Sequence, residues 1–321
     1  MDPTDSKESA GSFARISPEK VRYIKLGERG RLEAECERLN IIRIGYGSEG
    51  EERFALCAAG DWAGVWESLL AEGKDKGTAT GIVRQLRDFF ADSGSTLWVT
   101  FIGERLIWGL TNGGIPDMGG PELGGVVRPI RDGWRDRDRL GELLVKDRLP
   151  GALTKVVGYR GTVCETEVPN YVVRRINGQK SPEGKRAIAA RAALQESILP
   201  LIRQLDPKDF EILVDLIFST SGWRRLSAVG GTQKTKDFSI QLPTTEWHAF
   251  VQVKSETTSA EFATYARTFD EQVFDFMFFV YHTSKADLST DNDRVIVIGP
   301  ERLAKMVLDA GLADWIIDKA L

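Results

Sequence analysis

Gln252 and Lys254, in the run AFVQVKSE (249–256), are the residues whose types and spacing invite a chemical reading. Side chains alternate along a strand. Ala249, Val251 and Val253 would therefore line one face, and Phe250, Gln252 and Lys254 the other. An amide and an ammonium near a sheet face are costly to bury unless something there uses them. Two residues apart on one face, they stand about 7 Å from each other, so both can reach one bound group. Two carboxylates precede them in order, Glu211 and then Asp237. The chain has only two histidines, His248 and His282, and neither lies in a recognisable nucleophile motif. Catalysis here would rest on carboxylates, amides and lysine.

The elements that must position this set have clear signatures. DPKDFEILVDLIFSTSGW begins with Asp206 as a helix N-cap and Pro207 at the first helical position. Phe210, Leu213, Val214, Ile217 and Phe218 then follow the spacing of a core-facing helix, which carries Glu211. KDFSIQL, starting at Asp237's neighbour Lys236, reads as a strand, and AFVQVKS as the next. TTSAEFATYARTFDE reads as a helix, DFMFFVYHT and RVIVIG as two more strands, and PERLAKMVLDAGLADWIIDKAL as helical. This order predicts an α/β sandwich with a mixed sheet over 206–321.

Together, DFEILVDLIFSTSGW, GGTQKTKDFSI and FVQVKS resemble the PD-(D/E)XK nuclease superfamily, in its Mrr-like restriction endonuclease branch. The resemblance covers about a third of the chain and implies a restriction-endonuclease-like α/β/α core. It also implies roles. Asp237 would be the anionic ligand of Mg2+, with the Gln252 amide oxygen and the Val253 carbonyl as further ligands. Lys254 would orient or help deprotonate the attacking water and stabilise charge on the phosphate, and Glu211 would add a carboxylate. Chemistry agrees, since Mg2+ prefers oxygen ligands, neutralises a phosphodiester's charge and activates water. The approach to Asp237 departs from the branch. It carries Lys234 and Lys236 where such nucleases have a more acidic run. Those lysines, with Arg224 and Arg225, would form a local basic cluster for phosphate contacts.

Residues 18–178 predict a separate mixed α+β domain. SPEK at Ser17 offers a helix start, IIRIGYG a strand, and DWAGVWESLL a helix capped by Asp61. TATGIVRQLRDFF continues as a second helix, and LWVTFIGERLIWGL reads as a hairpin turning at Gly103-Glu104. YIKLGERG, IIRIGYG, LWVTFIGERLIWGL and YRGTV resemble EVE/PUA-like barrel modules. That resemblance implies a reader of modified bases, with Tyr46, Trp98 and Trp108 as candidates for a cage around a flipped base. GYGSEG matches a dinucleotide fingerprint in letters only, because no second strand with an acidic residue follows it. RPIRDGWRDRDR could track a DNA backbone, although five arginines against three aspartates also suit an ion-paired loop. Residues 1–17 read as a disordered tail, and 179–205 as a linker with a connecting helix.

Charge and cysteine usage bound the classes. Net charge is −4, and after Pro200 there are 13 Lys+Arg against 18 Asp+Glu, so DNA handling there needs local basic residues. Three scattered cysteines without a CxxC suggest reduced thiols and exclude a zinc ribbon. No apolar run reaches the length of a membrane span and no signal-peptide pattern opens the chain. The expectation is a cytoplasmic Mg2+-dependent endonuclease on double-stranded DNA, foreign or modified, acting as a homodimer so that both strands are cut. A catalytically inactive DNA-binding protein on the same fold, or an RNA or repair nuclease, would carry the same residues.

Overall fold

The computed structural model describes residues 13–47, 50–120, 123–226, 237–269 and 271–320. The chain is an α/β protein that divides into two compact units, Met1–Lys180 and Ser181–Leu321. Each unit is built on its own mixed sheet.

In the first unit the strands are β1 (Lys20–Ile24), β2 (Ile41–Ile44), β3 (Thr96–Ile102), β4 (Arg105–Thr111), β5 (Asp117–Met118), β6 (Val126–Arg135) and β7 (Val163–Glu165). They pair in the order β2-β6-β4-β3-β1-β7, with β5 on β6, and only the β1–β3 pair is parallel. Among the described residues this path stays open, so the barrel suggested by the EVE/PUA resemblance is not closed by strand pairing. The hairpin forms where its sequence places it, with Ile102 opposite Arg105 and Gly103 at φ +56°. Glycine there avoids the Cβ clash of positive φ.

Helices α1 (Glu33–Leu39), α2 (Glu51–Ala59), α3 (Trp62–Ala71) and α4 (Lys76–Phe90) supply one core of this unit. Asp61 and Asp75 cap α3 and α4 by accepting backbone N–H bonds. The other core takes in Leu153 of α5 (Gly151–Thr154) and Val172 and Ile176 of α6 (Pro169–Ile176). The helix start expected at Ser17 is absent: the chain enters β1 at Lys20 instead. Four residues, Lys20 to Tyr23, pair in parallel with β3, and that long-range ladder outweighs the local cap signal. Nor is 13–17 a free tail. Phe13 packs edge-on against Trp108, and the Ile16 N–H and C=O both bond the Asn177 amide at 2.9 Å.

The second unit begins with α7 (Pro182–Ile202), expected as a connector. Ile198 and Ile202 are fully buried in this unit's core, so the helix belongs to the domain rather than leading to it. Then come α8 (Pro207–Thr220), β8 (Arg224–Arg225), β9 (Phe238–Leu242), β10 (Trp247–Thr257), α9 (Ser259–Arg267), β11 (Phe276–Ser284), β12 (Val295–Ile298), α10 (Pro300–Asp309) and α11 (Ala313–Ala320). The sheet order is β12-β11-β10-β9-β8, parallel from β12 to β10 and antiparallel beyond. Ala249, Val251 and Val253 face a core with α7, α8, α10 and α11. Phe250 faces a second core with Phe262 of α9. The alternation in AFVQVKSE is thus the two faces of a three-layer α/β/α arrangement.

Candidate active site

Asp237 stands immediately before β9, where the pairing with β10 ends at Val251–Phe238. Past that point, among the described residues, β10 has no strand partner on this edge to receive Val253. Asp237 takes over: its Oδ2 accepts from the Val253 N–H at 2.5 Å and from Gln252 Nε2 at 2.6 Å. The N–H and C=O of one strand residue point to the same side, so the Val253 carbonyl lies on this edge too.

Gln252 is 3% exposed, and its Oε1 is buried without a hydrogen-bond partner among the described residues. A buried amide oxygen with no donor costs about 1–3 kcal/mol. Such an atom beside a carboxylate is the kind of position a cation or a bound donor fills. Asp237, Gln252 Oε1 and the Val253 carbonyl form an oxygen-only donor set, which fits a hard cation of the Mg2+ type. Among the described residues no group of three or more Asp, Glu, His or Cys side chains is placed to hold a metal. The set therefore relies on amide and backbone oxygens where a more acidic site would use carboxylates.

Glu211, on the second turn of α8, joins the site electrostatically. Burial pushes its carboxyl up, and the negative charge of Asp237 adds to that. Asp237 is itself raised by burial, against the lowering effects of the Val253 N–H and of Lys254. Two carboxylates that resist ionisation together are poised to take up a cation.

Lys254 projects from the same face as Gln252 and is 28% exposed. Its ammonium is 3.2 Å from Glu261 Oε1 and 5.3 Å from the centre of the Tyr265 ring. Burial lowers its pKa, but Tyr265 and Glu261 more than reverse that, and the net shift is upward. Lys254 is therefore a charged donor and not a base near neutrality, which removes deprotonation of the water from the roles expected of it and leaves orienting water and stabilising charge.

Glu261 and Tyr265 are site residues that reading the strand motif alone misses. They sit four apart on α9, on the helical face that meets β10. The signal was present in SAEFATYAR, as a carboxylate and a phenol at that spacing just after the lysine strand. Thr257 Oγ1 donates to Glu261 Oε2 at 3.1 Å, which fixes the carboxylate while Oε1 holds Lys254.

The basic cluster is only partly assembled. Lys234 and Lys236 lie outside the described residues. Arg225 bonds Asp215 Oδ2 at 3.2 Å and stacks over Phe238 at 4.6 Å, so its charge is already compensated. Arg224 is exposed.

The three cage candidates do not meet. Trp98 is wholly buried in one core of the first unit, where its Nε1 donates to Asp92 Oδ2 at 2.8 Å. Trp108 is 2% exposed in the other core, and its Nε1 donates to the Arg137 carbonyl. Val99 pairs with Trp108 and Trp98 with Gly109, so the two indoles leave opposite faces of the sheet. The Tyr46 hydroxyl bonds Gln85 and Thr162. These rings build cores rather than a cage. Of the sequence-predicted set, the fold brings together Glu211, Asp237, Gln252, Val253 and Lys254.

Compared with protein-family models, curated proteins and solved structures, the chain matches none.

Proposed function

We propose that this chain is a Mg2+-dependent endodeoxyribonuclease of the PD-(D/E)XK type, with its active site at the Asp237 edge of β10. The observation that carries this reading is the Gln252 Oε1, unpartnered among the described residues, beside the Asp237 carboxylate and two residues along the strand from a charged lysine. Asp237, Gln252 Oε1 and the Val253 carbonyl would hold the metal, with Glu211 as a further carboxylate. A bound Mg2+ would neutralise phosphate charge and supply an activated water.

The chain's own residues do the rest. The Lys254 ammonium offers donors to a non-bridging phosphate oxygen and to the incoming water, and it stabilises charge that builds as the phosphorus is attacked. Glu261 and Tyr265 hold that ammonium charged and oriented. Arg224 is available to a neighbouring phosphate. In this reading the protein works in the cytoplasm on double-stranded DNA, foreign or modified, as a homodimer, and the first unit contributes DNA recognition. No helix among the described residues is long and apolar enough to cross a membrane.

A second reading, a non-catalytic DNA-binding protein on this fold, draws on the site's shortage of carboxylates. Cleavage of phage DNA, modified and unmodified, in Mg2+ or EDTA separates the two. Loss of cutting in EDTA and in both Asp237→Ala and Lys254→Ala supports the nuclease. A wild-type chain that binds DNA and never cuts, or variants that cut as well as wild type, assigns the protein to the second reading. Equal or better cutting of RNA or single strands would move the substrate to RNA or repair intermediates.

A further inference from the structure

Three cavities in the first unit are lined by basic side chains. One, of about 370 Å³, lies under Phe13, with Arg135 stacked over both Phe13 and Trp108. Another, of about 560 Å³, contains Arg22 and Lys155, ion-paired with Asp88 and Glu165 and with Glu167, and Arg84, which bonds the Tyr159 hydroxyl.

The third, of about 700 Å³, is built otherwise. Its walls come from three separate segments: the turn after β1, the end of β2, and the loop before β7. They bring Lys25, Arg29, Arg31, Arg43 and Arg160 to one concavity, against Glu28 and Glu33. Lys25 donates to the Tyr159 carbonyl and Arg43 to the carbonyls of Leu123 and Gly124. Arg29, Arg31 and Arg160 are exposed and make no ion pair with any described residue. Three guanidiniums with no carboxylate partner among the described residues therefore meet at one hollow.

The backbone of this hollow is also specialised. Arg29 holds φ +53° between Gly27 and Gly30, which both have positive φ, so the turn presents the Arg29 side chain from a left-handed position. Non-glycine residues take that conformation at some cost. Across the cavity, a Cβ on Gly161 would sit 2.6 Å from Gln85 Oε1 and from the Tyr159 ring, which keeps the loop carrying Arg160 close to the sheet.

We infer that this hollow is an anion site for a phosphate-bearing ligand of nucleotide size. Guanidiniums present planar donor forks that match phosphate oxygens better than an ammonium does. The volume lies within the range of small-ligand pockets, well above what a bare phosphate needs. Tyr46 and Thr162 add hydroxyl groups to the wall, 3.1 Å apart. The ligand is either a free mononucleotide or a nucleotide within a strand; the phosphate chemistry is shared. The inference does not depend on the Asp237 site.

The test uses the full chain carrying Asp237→Ala, in EDTA, so that the nuclease reading cannot affect the result. Calorimetric titration with thymidine monophosphate, thymidine, inorganic phosphate and a short oligothymidylate is compared between that chain and one that also carries Arg31→Ala and Arg160→Ala. Both arginines are exposed, so the fold should survive, and a melting curve checks it. The expected result is binding of the monophosphate with competition by phosphate, much weaker binding of thymidine, and at least a tenfold loss in the arginine variant. If the oligomer binds with the same arginine dependence and the monophosphate is far weaker, the site stands and a strand is its source. Binding that survives in the folded arginine variant, binding of thymidine equal to that of its monophosphate, or no binding by any probe overturns the inference.

Discussion

Gln252 donates its side-chain amide to Asp237 Oδ2 at 2.6 Å and keeps its own Oε1 buried without a partner among the described residues. Replacing Gln252 with Glu sets a second carboxylate against Asp237. In the absence of divalent cations the like charges are expected to cost about 1–3 kcal/mol of stability. Mg2+ should restore it, giving Gln252→Glu a larger metal-dependent rise in melting temperature than wild type. Equal responses in the two chains would count against a metal at this edge.

The raised pKa values of Asp237 and Glu211 set a pH dependence. A raised carboxyl pKa means that the folded chain binds the proton more tightly than the unfolded one. For Asp237, the stability so contributed is full below its ordinary value of 3.8 and is lost as pH rises through the folded-state value. Asp237→Asn keeps an acceptor for the Val253 N–H and removes the charge. That variant should be at least as stable as wild type at about pH 7, with the gap closing as pH falls toward 4. Urea titrations across that range check the sign. Mg2+ affinity of the wild type should fall as the same protons return.

Lys254 is held charged by Glu261 and Tyr265, so its contribution is electrostatic. Lys254→Ala is expected to lower DNA cleavage by about 100- to 1,000-fold. Glu261→Gln should cost about tenfold, as loss of a residue that positions another does. The alkaline side of the rate profile should show no limb from Lys254 near neutrality in the wild type, while Glu261→Gln moves such a limb downward. A limb near neutrality in the wild type would make Lys254 a base and contradict this assignment.

Asp92 is the polar centre of the first unit. Burial pushes its carboxyl up, but donors from Thr111 Oγ1, Trp98 Nε1 and the Gly94 and Thr96 N–H groups more than offset this and hold it below the usual range. Its stabilising contribution is therefore present above its ordinary value of 3.8 and lost as pH falls through the folded-state value. Asp92→Ala should cost about 2–4 kcal/mol near neutrality, since it strands buried donors. The gap to wild type should narrow in acid. A surface-like loss below about 0.5 kcal/mol would show the network to be dispensable.

Much of the second unit was legible because its signals are local. Asp206 and Pro207 mark a helix start, the spacing from Phe210 to Phe218 marks its buried face, and the alternation in AFVQVKSE marks a strand covered on both sides. The first unit yielded less. SPEK reads as a helix start and Phe13–Ser17 as tail, yet β1 pairs with a strand more than seventy residues away and Phe13 docks on Trp108. Such contacts depend on partners that no local window contains. The tryptophans looked like a binding surface for the same reason: an aromatic that lines a cage and one that fills a core are identical in sequence.

The sequence by itself determined the order of the elements, their buried faces, and the placing of Gln252 and Lys254 on one strand face, because capping and periodicity act over a few residues. Only the tertiary structure decided the rest. It began β9 one residue after Asp237, so that the carboxylate takes the Val253 N–H. It set Glu261 and Tyr265 beside Lys254, paired Arg225 with Asp215, and gathered Arg29, Arg31 and Arg160 from segments far apart in the chain. Those outcomes depend on where sheets stop and loops converge, which is settled by long-range packing.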